Sequence, residues 1–288
     1  MKIKITVDST ADLTPELCER YGISVIPLCV SLGEDIYLDD VDITPDMIYD
    51  YVSKNKKLPK TSAVNTEKYR EEFSKIFAEG YDAIIHFNLS SEMSITHQNA
   101  KMLMEDFKNL YVIDSQTLST ATALQALYAC ELAKQDKYTP EEIAEKIEAR
   151  KQYAQASFVL DKLEYLYRGG RCNALVLFGA NLLKIKPSIE VHNGKMGVGK
   201  KYFGKFESCV AKYVRDILEK HPNPDTTRVF VTHTKIDSKI VDFVKDYLKQ
   251  NTKFEEILET TAGATITSHC GSNTIGVLFY TDGENKNN

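Results

Sequence analysis

Three short apolar stretches of this chain each end in a cluster of small polar residues, and helical patterns separate them. The stretches span residues 2–7, 82–87 and 110–113, and the clusters that follow are Asp8-Ser9-Thr10, Asn88-Leu89-Ser90-Ser91 and Asp114-Ser115. Strands that alternate with helices at this spacing predict βαβ units and a parallel sheet. The clusters should then lie at the carboxyl ends of the strands, where ligands bind in open α/β folds.

The segment from Asn88 to Ala100 is the richest in hydroxyl groups. It places Ser90, Ser91, Ser94 and Thr96 between the strand and a helix predicted from about Gln98 to Phe107. Helix N-terminal amides can bind an anion, so the segment predicts a ligand-binding turn. Ser94 and Thr96 are also candidate N-caps that only satisfy backbone amides. The pattern leaves both interpretations open, although a cap needs one hydroxyl and this turn has several.

The length and composition are compatible with two domains. The 288 residues are 43% hydrophobic and can bury a substantial core. Strands and helices alternate up to about residue 155, and later segments have fewer helices between strands. We therefore predict an N-terminal parallel-sheet α/β domain over residues 1–155, a C-terminal mixed α/β domain over residues 156–282, and a disordered tail over residues 283–288.

Charge, hydropathy and cysteine spacing exclude several classes of function. The net charge of −5 argues against nucleic acid as a partner. The chain starts with a strand pattern rather than a signal peptide and has no apolar run long enough for an integral membrane segment, so we expect a cytoplasmic protein. Six cysteines without a Cys-x-x-Cys pair indicate neither a zinc site nor disulfides, and we expect free thiols, mostly in the core. No cofactor or metal is predicted.

Further elements follow from local signals. Thr14, Thr44 and Thr139 each precede a proline and predict helix starts, with Glu142 completing a capping box. Thr61-Ser62 lies in a predicted loop, where the hydroxyls could face a ligand or bond their own backbone. The predicted strands are 25–30, 157–160, 228–232, 254–260 and 275–280, and the predicted helices are 43–52, 67–77, about 117–133, 140–153 and 238–249, of which 117–133 and 140–153 are expected to be amphipathic.

The segment Gly194–Lys200 matches the G-x-x-x-x-G-K pattern of a phosphate-binding loop. The next residue is Lys201 rather than Ser or Thr, and no helix pattern follows at once. Asn193-Gly194 is instead a strong hairpin signal. We therefore interpret the segment as a hairpin and not as a nucleotide site.

Taken in order along the chain, these motifs resemble the DegV family. The resemblance rests on Asp8 to Leu13, Thr61-Ser62, Ser90 to Ala100, Val112 to Ser115, Leu166 to Arg171 and His269-Cys270-Gly271. It spans essentially the whole chain. It implies a two-domain α/β protein that holds one long-chain fatty acid in a tunnel between the domains. Some family members present the fatty-acid carboxylate to a separate ATP-binding fatty acid kinase subunit.

The resemblance also implies roles for individual residues. The residues that would bind the carboxylate are Thr61, Ser62, Ser94 and His269. Arg171 would contact the kinase partner. Without the resemblance, a core or surface histidine is the favoured interpretation of His269, and Arg171 could equally be a solvated turn charge. No catalytic residue is implied.

This chain departs from the family pattern in the serine-rich turn. Glu92 and Ile95 stand where the family has glycines, which would alter the turn if it needs positive φ. His97 replaces a tyrosine and adds a second candidate donor.

Two enzymatic alternatives compete with a carrier function. A serine acyl hydrolase would use Ser94 as nucleophile and His269 as base, but there is no G-x-S-x-G elbow and no identifiable third acid. A self-sufficient kinase would need the phosphate-binding loop that is missing here.

Overall fold

The computed structural model describes residues 1–172 and 185–283. The strands in these residues are β1 (Ile3–Asp8), β2 (Ser24–Ile26), β3 (Cys29–Leu32), β4 (Asp35–Leu38), β5 (Lys60–Ser62), β6 (Ala83–Asn88), β7 (Leu110–Asp114), β8 (Ala154–Gln155), β9 (Ser157–Leu160), β10 (Lys186–His192), β11 (Lys195–Tyr202), β12 (Arg228–His233), β13 (Glu256–Thr261) and β14 (Thr274–Tyr280). The α-helices are α1 (Pro15–Tyr21), α2 (Pro45–Asn55), α3 (Thr66–Ala78), α4 (Thr96–Lys101), α5 (Thr120–Ala133), α6 (Pro140–Arg150), α7 (Glu164–Arg168), α8 (Phe206–Lys220), α9 (Ser238–Asn251) and α10 (Ala264–Cys270), and short 3-10 turns cover Ser9–Ala11, Met102–Glu105 and Lys151–Tyr153.

The first sheet is parallel, as predicted, with strand order β2-β1-β6-β7. Residues of β6 alternate between its two faces, as strand geometry requires. Ile84 and His86 pack towards Tyr69 and Phe73 of α3, whereas Phe87 lies in the core that α5 and α6 cover. Helices therefore cover both faces of the sheet.

The polar ends of the three predicted strands meet at one edge, as expected. Asp8 accepts a hydrogen bond from Tyr69 Oη at 2.6 Å and from Asn88 Nδ2 at 3.0 Å. Asp114 accepts hydrogen bonds from the backbone N–H and hydroxyl of Ser91. Asp8, Asn88 and Tyr69 are fully buried. These buried strand ends therefore anchor the serine-rich turn that follows β6.

The second sheet is mixed, in agreement with the predicted C-terminal α/β architecture. Its order is β11-β10-β9-β14-β12-β13, with β8 paired to β14, and only β12 and β13 are parallel neighbours. Helices α8 and α9 cover one face. On the other face, Phe158 and Leu160 join the core around α3, and Phe230 and Leu278 join the core around α5.

A third, antiparallel sheet of order β4-β3-β5 was not predicted. The predicted single strand 25–30 is wrong, because the chain leaves the first sheet after Ile26 and enters the third sheet at Cys29, on the two sides of Pro27. Proline has no N–H to donate to a sheet. Thr61 and Ser62 were predicted in a loop but form the edge strand β5, which pairs with β3.

Helix α5 differs from its prediction. It starts at Thr120 rather than near residue 117, and it is buried on nearly all sides instead of being amphipathic. Its position between the first sheet and β14 explains the burial, because both sheets cover it. A helix that is apolar all round is the sequence signature of such a position.

The three predicted helix starts are confirmed, but one of the three threonines makes no side-chain cap hydrogen bond. Thr14 caps α1 by accepting from Leu17 N–H, and Thr139 forms the predicted capping box with Glu142. Thr44 precedes α2, but its side chain makes no cap hydrogen bond. The helix predicted from Gln98 to Phe107 begins at Thr96 and continues after Lys101 as a 3-10 turn.

The Asn193-Gly194 hairpin is confirmed. Both residues have positive φ, of 50° and 80°, as a tight turn between twisted strands requires. Most of the Gly194–Lys200 segment lies on β11, which pairs antiparallel with β10. A strand followed directly by a helix, which a phosphate-binding loop needs, is not present at this segment.

Several predictions concern the chain as a whole. All six cysteines lie in the described residues as thiols rather than disulfides, and four of them are buried. Within residues 1–172 and 185–283, no helix has the length and apolarity needed to cross a membrane, and no group of three or more His, Cys, Asp or Glu side chains could hold a metal. The domain boundary near residue 155 and the cytoplasmic location stay predictions. Of the predicted tail, residues 284–288 lie outside the described residues.

Candidate functional site

One cavity brings together all five residues that the resemblance singles out. The empty space between its walls, counted together with the space that opens to solvent, is about 520 Å³. The predicted residues in its lining are Thr61, Ser62, Ser94, Arg171 and His269. Most of the remaining lining is apolar and includes Leu28, Leu89, Met93, Leu118, Met196 and Ile266.

Thr61 and His269 form a hydrogen-bonded pair in this cavity. Thr61 Oγ1 on β5 and His269 Nε2 on α10 lie 2.8 Å apart. Burial, and to a lesser extent the nearby positive charge of Arg171, lower the pKa of His269 to about 4. His269 is therefore a neutral imidazole at neutral pH. Its Nδ1 is buried and has no hydrogen-bond partner among the described residues.

Gly169 provides the space for the His269 ring. A Cβ atom at this position would lie 2.6 Å from His269 Nδ1 and 2.9 Å from the carbonyl oxygen of Tyr165. Any side chain here would displace the imidazole. The glycine in the turn after α7 thus fixes how closely that turn approaches the cavity.

Ser94 lies in a turn anchored to the buried strand ends. Its Oγ accepts from the N–H of Thr96 at 3.2 Å, and its hydrogen is available to donate into the cavity. Thr96 Oγ1 is 2.7 Å from Tyr69 Oη, which also donates to Asp8. Neither residue is the N-cap of α4, since Ile95 takes that position and Thr96 is the first helical residue. Neither hydroxyl is at the N-cap position, but Ser94 still satisfies the first helical amide, as the capping interpretation expected.

Ser62 and Arg171 mark the outer side of the cavity. Both are exposed, and Arg171 Nη1 donates to the carbonyl oxygen of Gly169 at 2.9 Å. An outer groove of about 910 Å³ continues from here and shares Met93, Arg171 and Met196 with the cavity. Arg171 therefore lies where the cavity meets the protein surface.

The departures from the family pattern leave the turn intact. Ile95 has a φ of −79°, and Glu92 is not among the residues with positive φ, so neither position requires glycine. Glu92 Oε2 lies 3.4 Å from Lys195 Nζ at the hairpin tip. His97 is buried outside the cavity lining, so the prediction that it adds a second donor is wrong.

A second cavity of about 380 Å³ adjoins the first. The two share Leu118, Ile266 and Cys270 in their linings. Residues of the second sheet, including Phe158 and Leu278, contribute much of the rest, which also contains hydroxyl side chains such as those of Ser119 and Thr232. An apolar path therefore leads from the hydroxyl groups of the first cavity towards the interior.

Sequence reasoning missed two residues of the first cavity, Thr10 and Thr265. Thr10 belongs to the polar cluster after β1, which signalled a crevice but not this particular hydroxyl. Thr265 belongs to α10, a helix that was not predicted. No local signal distinguishes Thr265 from its neighbours, since its position depends on the packing of α10 against the first half of the chain.

The geometry suits binding better than acyl hydrolysis. The hydroxyl that lies within hydrogen-bonding distance of His269 is that of Thr61, not that of Ser94. In the described part of the chain, His269 Nδ1 has no carboxylate to orient the ring, which a Ser-His-acid arrangement requires. The cavity offers uncharged donors beside an apolar space, with one cation at its rim.

This fold and cavity define an α/β protein with a buried apolar site that opens at hydroxyl and imidazole groups. The chain belongs to the DegV family, since the model of that family, described as "uncharacterised protein, DegV family", matches residues 2–282.

Several proteins of named bacteria are similar to this chain. A curated relative named fatty acid-binding protein, from Thermotoga maritima, is 29% identical over 96% of each chain. The structure of a fatty-acid-binding DegV family protein from Thermus thermophilus matches with a TM-score of 0.88 and 27% identity, over 97% of this chain and 99% of that one. The fatty acid kinase B3 protein of Streptococcus pneumoniae, loaded with linoleic acid, shares the fold with a TM-score of 0.83 at 20% identity, over 98% of this chain and 100% of that one.

Proposed function

We propose that this protein binds one long-chain fatty acid, with the carboxylate at Thr61, Ser94 and His269 and with Ser62 at the rim. The acyl tail runs past Leu118 and Ile266 into the second cavity. The observation that carries the proposal is one cavity with hydroxyl and imidazole groups on one side and an adjoining apolar cavity on the other. The names of the Thermotoga and Thermus relatives support the same ligand class.

The tail supplies most of the affinity. Each buried methylene contributes about 0.8 kcal/mol, so a tail of roughly fifteen contributes on the order of 12 kcal/mol before the costs of binding. The carboxylate needs only enough hydrogen bonds to offset its desolvation, and each charge-assisted bond contributes roughly 1.5–3 kcal/mol. The hydroxyls of Thr61 and Ser94 and the imidazole of His269 are sufficient for this.

The charge arrangement also suits a carboxylate that remains reactive. His269 is neutral, and Arg171 bonds a backbone carbonyl at the rim instead of reaching into the cavity as a clamp. A carboxylate held by single hydrogen bonds keeps one oxygen free. A bidentate arginine would occupy both oxygens.

The free oxygen and the exposed cation together support presentation to a separate ATP-binding kinase subunit. The carboxylate oxygen would attack the γ-phosphorus of ATP, the bond from that phosphorus to the ADP oxygen would break, and acyl phosphate and ADP would result. Arg171 lies at the junction with the outer groove, which supports a role for it in contacting the partner or the transferred phosphoryl group. The name of the pneumococcal protein that shares this fold is consistent with such a pairing.

Native mass spectrometry of the protein purified from a bacterial host tests the ligand. We expect a co-purifying fatty acid, identified by lipid extraction. Thr61→Val should retain much less of it, because the variant loses the hydroxyl that pairs with His269. Thr44→Val is the matched control, since Thr44 is exposed and makes no side-chain cap bond. A ligand-free spectrum would contradict the proposal, and covalent labelling of Ser94 by a fluorophosphonate would favour the hydrolase instead.

The kinase pairing has a separate test. With a fatty acid kinase subunit and ATP, Arg171→Ala should form acyl phosphate at least about tenfold more slowly, while its fatty-acid content stays unchanged. Arg168→Ala is the control, because Arg168 pairs with Glu164 on the exposed side of α7. Equal rates for the two variants would remove Arg171 from the encounter with the kinase.

A further inference from the structure

Two hydroxyl groups in the first cavity have no hydrogen-bond partner. Thr10 Oγ1 and Thr265 Oγ1 are both buried and unpartnered among the described residues, and the two side chains are only 1% and 4% exposed. Both line the cavity that contains Thr61, Ser94 and His269. Buried polar groups in folded proteins are rarely left without a partner, so these two call for a ligand atom.

Asp39 fixes the positions of both threonines. Its Oδ2 accepts from Ser9 Oγ at 2.9 Å and from Thr265 N–H at 3.2 Å, and its Oδ1 accepts from Ala264 N–H at 2.7 Å. Asp39 is 1% exposed. The turn that carries Thr10 and the helix that carries Thr265 are therefore joined through one buried carboxylate. The backbone that carries the two threonines is therefore anchored beside the cavity.

A plain alkyl chain would cover both hydroxyls without bonding either of them. A hydroxyl group on the ligand could bond both threonines, since it has one hydrogen to donate and can accept two hydrogen bonds. The second cavity, whose described lining contains neither threonine, would receive the apolar tail. The additional oxygen therefore belongs near the carboxyl end of the ligand.

We propose that the cavity is built for a fatty acid with a hydroxyl group near its carboxyl end, which Thr10 and Thr265 recognise. The inference rests on the proposed fatty-acid function and narrows its substrate class. Two other occupants would use the same hydroxyls, namely the carboxylate itself or an ordered water beside a plain fatty acid. The experiment distinguishes these occupants.

Calorimetry on the delipidated full-length protein compares hexadecanoic acid with its 2-hydroxy and 3-hydroxy derivatives, and the ω-hydroxy acid is the control. We expect one of the first two derivatives to bind about tenfold more tightly than the plain acid, as one additional satisfied hydrogen bond allows. Thr10→Val and Thr265→Val should each abolish this preference, measured as the ratio of the affinities for the hydroxylated and the plain acid. Thr265→Ser, which restores a hydroxyl, should retain the preference, and this variant also controls for folding.

Three results would overturn the inference. Equal affinities for plain and hydroxylated acids would mean that the threonines bond only water. Equal weakening of all acids in the valine variants would assign the threonines to the carboxylate. Absence of binding by every acid would remove the fatty-acid function together with the inference, whereas the first two results leave that function intact.

Discussion

At the scale of single residues, His269 is the group whose protonation the fold opposes most directly. Its ordinary pKa is 6.5, and burial lowers the pKa to about 4 in the folded protein. Above pH 6.5 both the folded and the unfolded chain carry a neutral ring. Between pH 6.5 and 4 the unfolded chain binds a proton that the folded chain does not. The free energy of unfolding should therefore fall as the pH is lowered through this range, and this loss of stability is complete below about pH 4.

Urea unfolding at pH 7, 6, 5 and 4 measures this contribution. His269→Gln should make the fall with pH shallower, by at most about 1.4 kcal/mol for each pH unit between 6.5 and 4. His192→Gln is the matched control, since His192 is exposed at the end of β10. Identical pH profiles for wild type and His269→Gln would mean that the pKa of His269 is the same in the folded and the unfolded chain.

At the scale of elements, the sequence predicted those whose signals are local. The apolar strands β1, β6 and β7, the capped helices α1 and α6, and the β10–β11 hairpin each follow from residues within a few positions of one another. Their polar strand ends then met at one edge, because a parallel sheet brings its carboxyl ends together. The serine-rich turn could be placed in the fold for the same reason.

The elements that were missed depend on distant residues. Helix α10 has seven residues, several of them β-branched and thus poor helix formers, and its first amides are bonded by Asp39 from a loop far away in sequence. Strand β5 has three residues and exists because β3 pairs with it. These two elements carry His269 and Thr61. Motif resemblance could therefore name both residues, but sequence patterns alone could not bring them together.

The burial of α5 also depends on distant residues and could not be predicted from the helix's own sequence. Its alanines and threonines suit an exposed helix as well as a buried one. Only the second sheet, whose strand β14 packs against it, decides between the two. Hydroxyl side chains on this helix are then paired inside the core, as for Thr120 and Thr232 of β12, whose oxygens lie 2.6 Å apart.

At the scale of the whole molecule, one buried cation joins early and late parts of the chain. Arg150, at the end of α6, donates to both oxygens of Asp282 at 2.8 and 2.9 Å and to Asp225 at 2.6 Å. Its guanidinium also lies 3.8 Å from the centre of the Tyr280 ring. These partners flank the second sheet, whereas α6 packs on the first.

Arg150→Met should therefore destabilise the protein by about 3–5 kcal/mol, because it leaves two carboxylates buried without their cation. Arg70→Met, which breaks the exposed pair with Asp106, is the control and should cost under about 1 kcal/mol. Urea unfolding of both variants measures the difference. Adding Asp282→Asn to Arg150→Met should recover part of the loss, since one unpaired charge disappears. A loss for Arg150→Met as small as that of the control would mean that these carboxylates find water or other partners, and that apolar packing alone joins the first sheet and its helices to the second sheet.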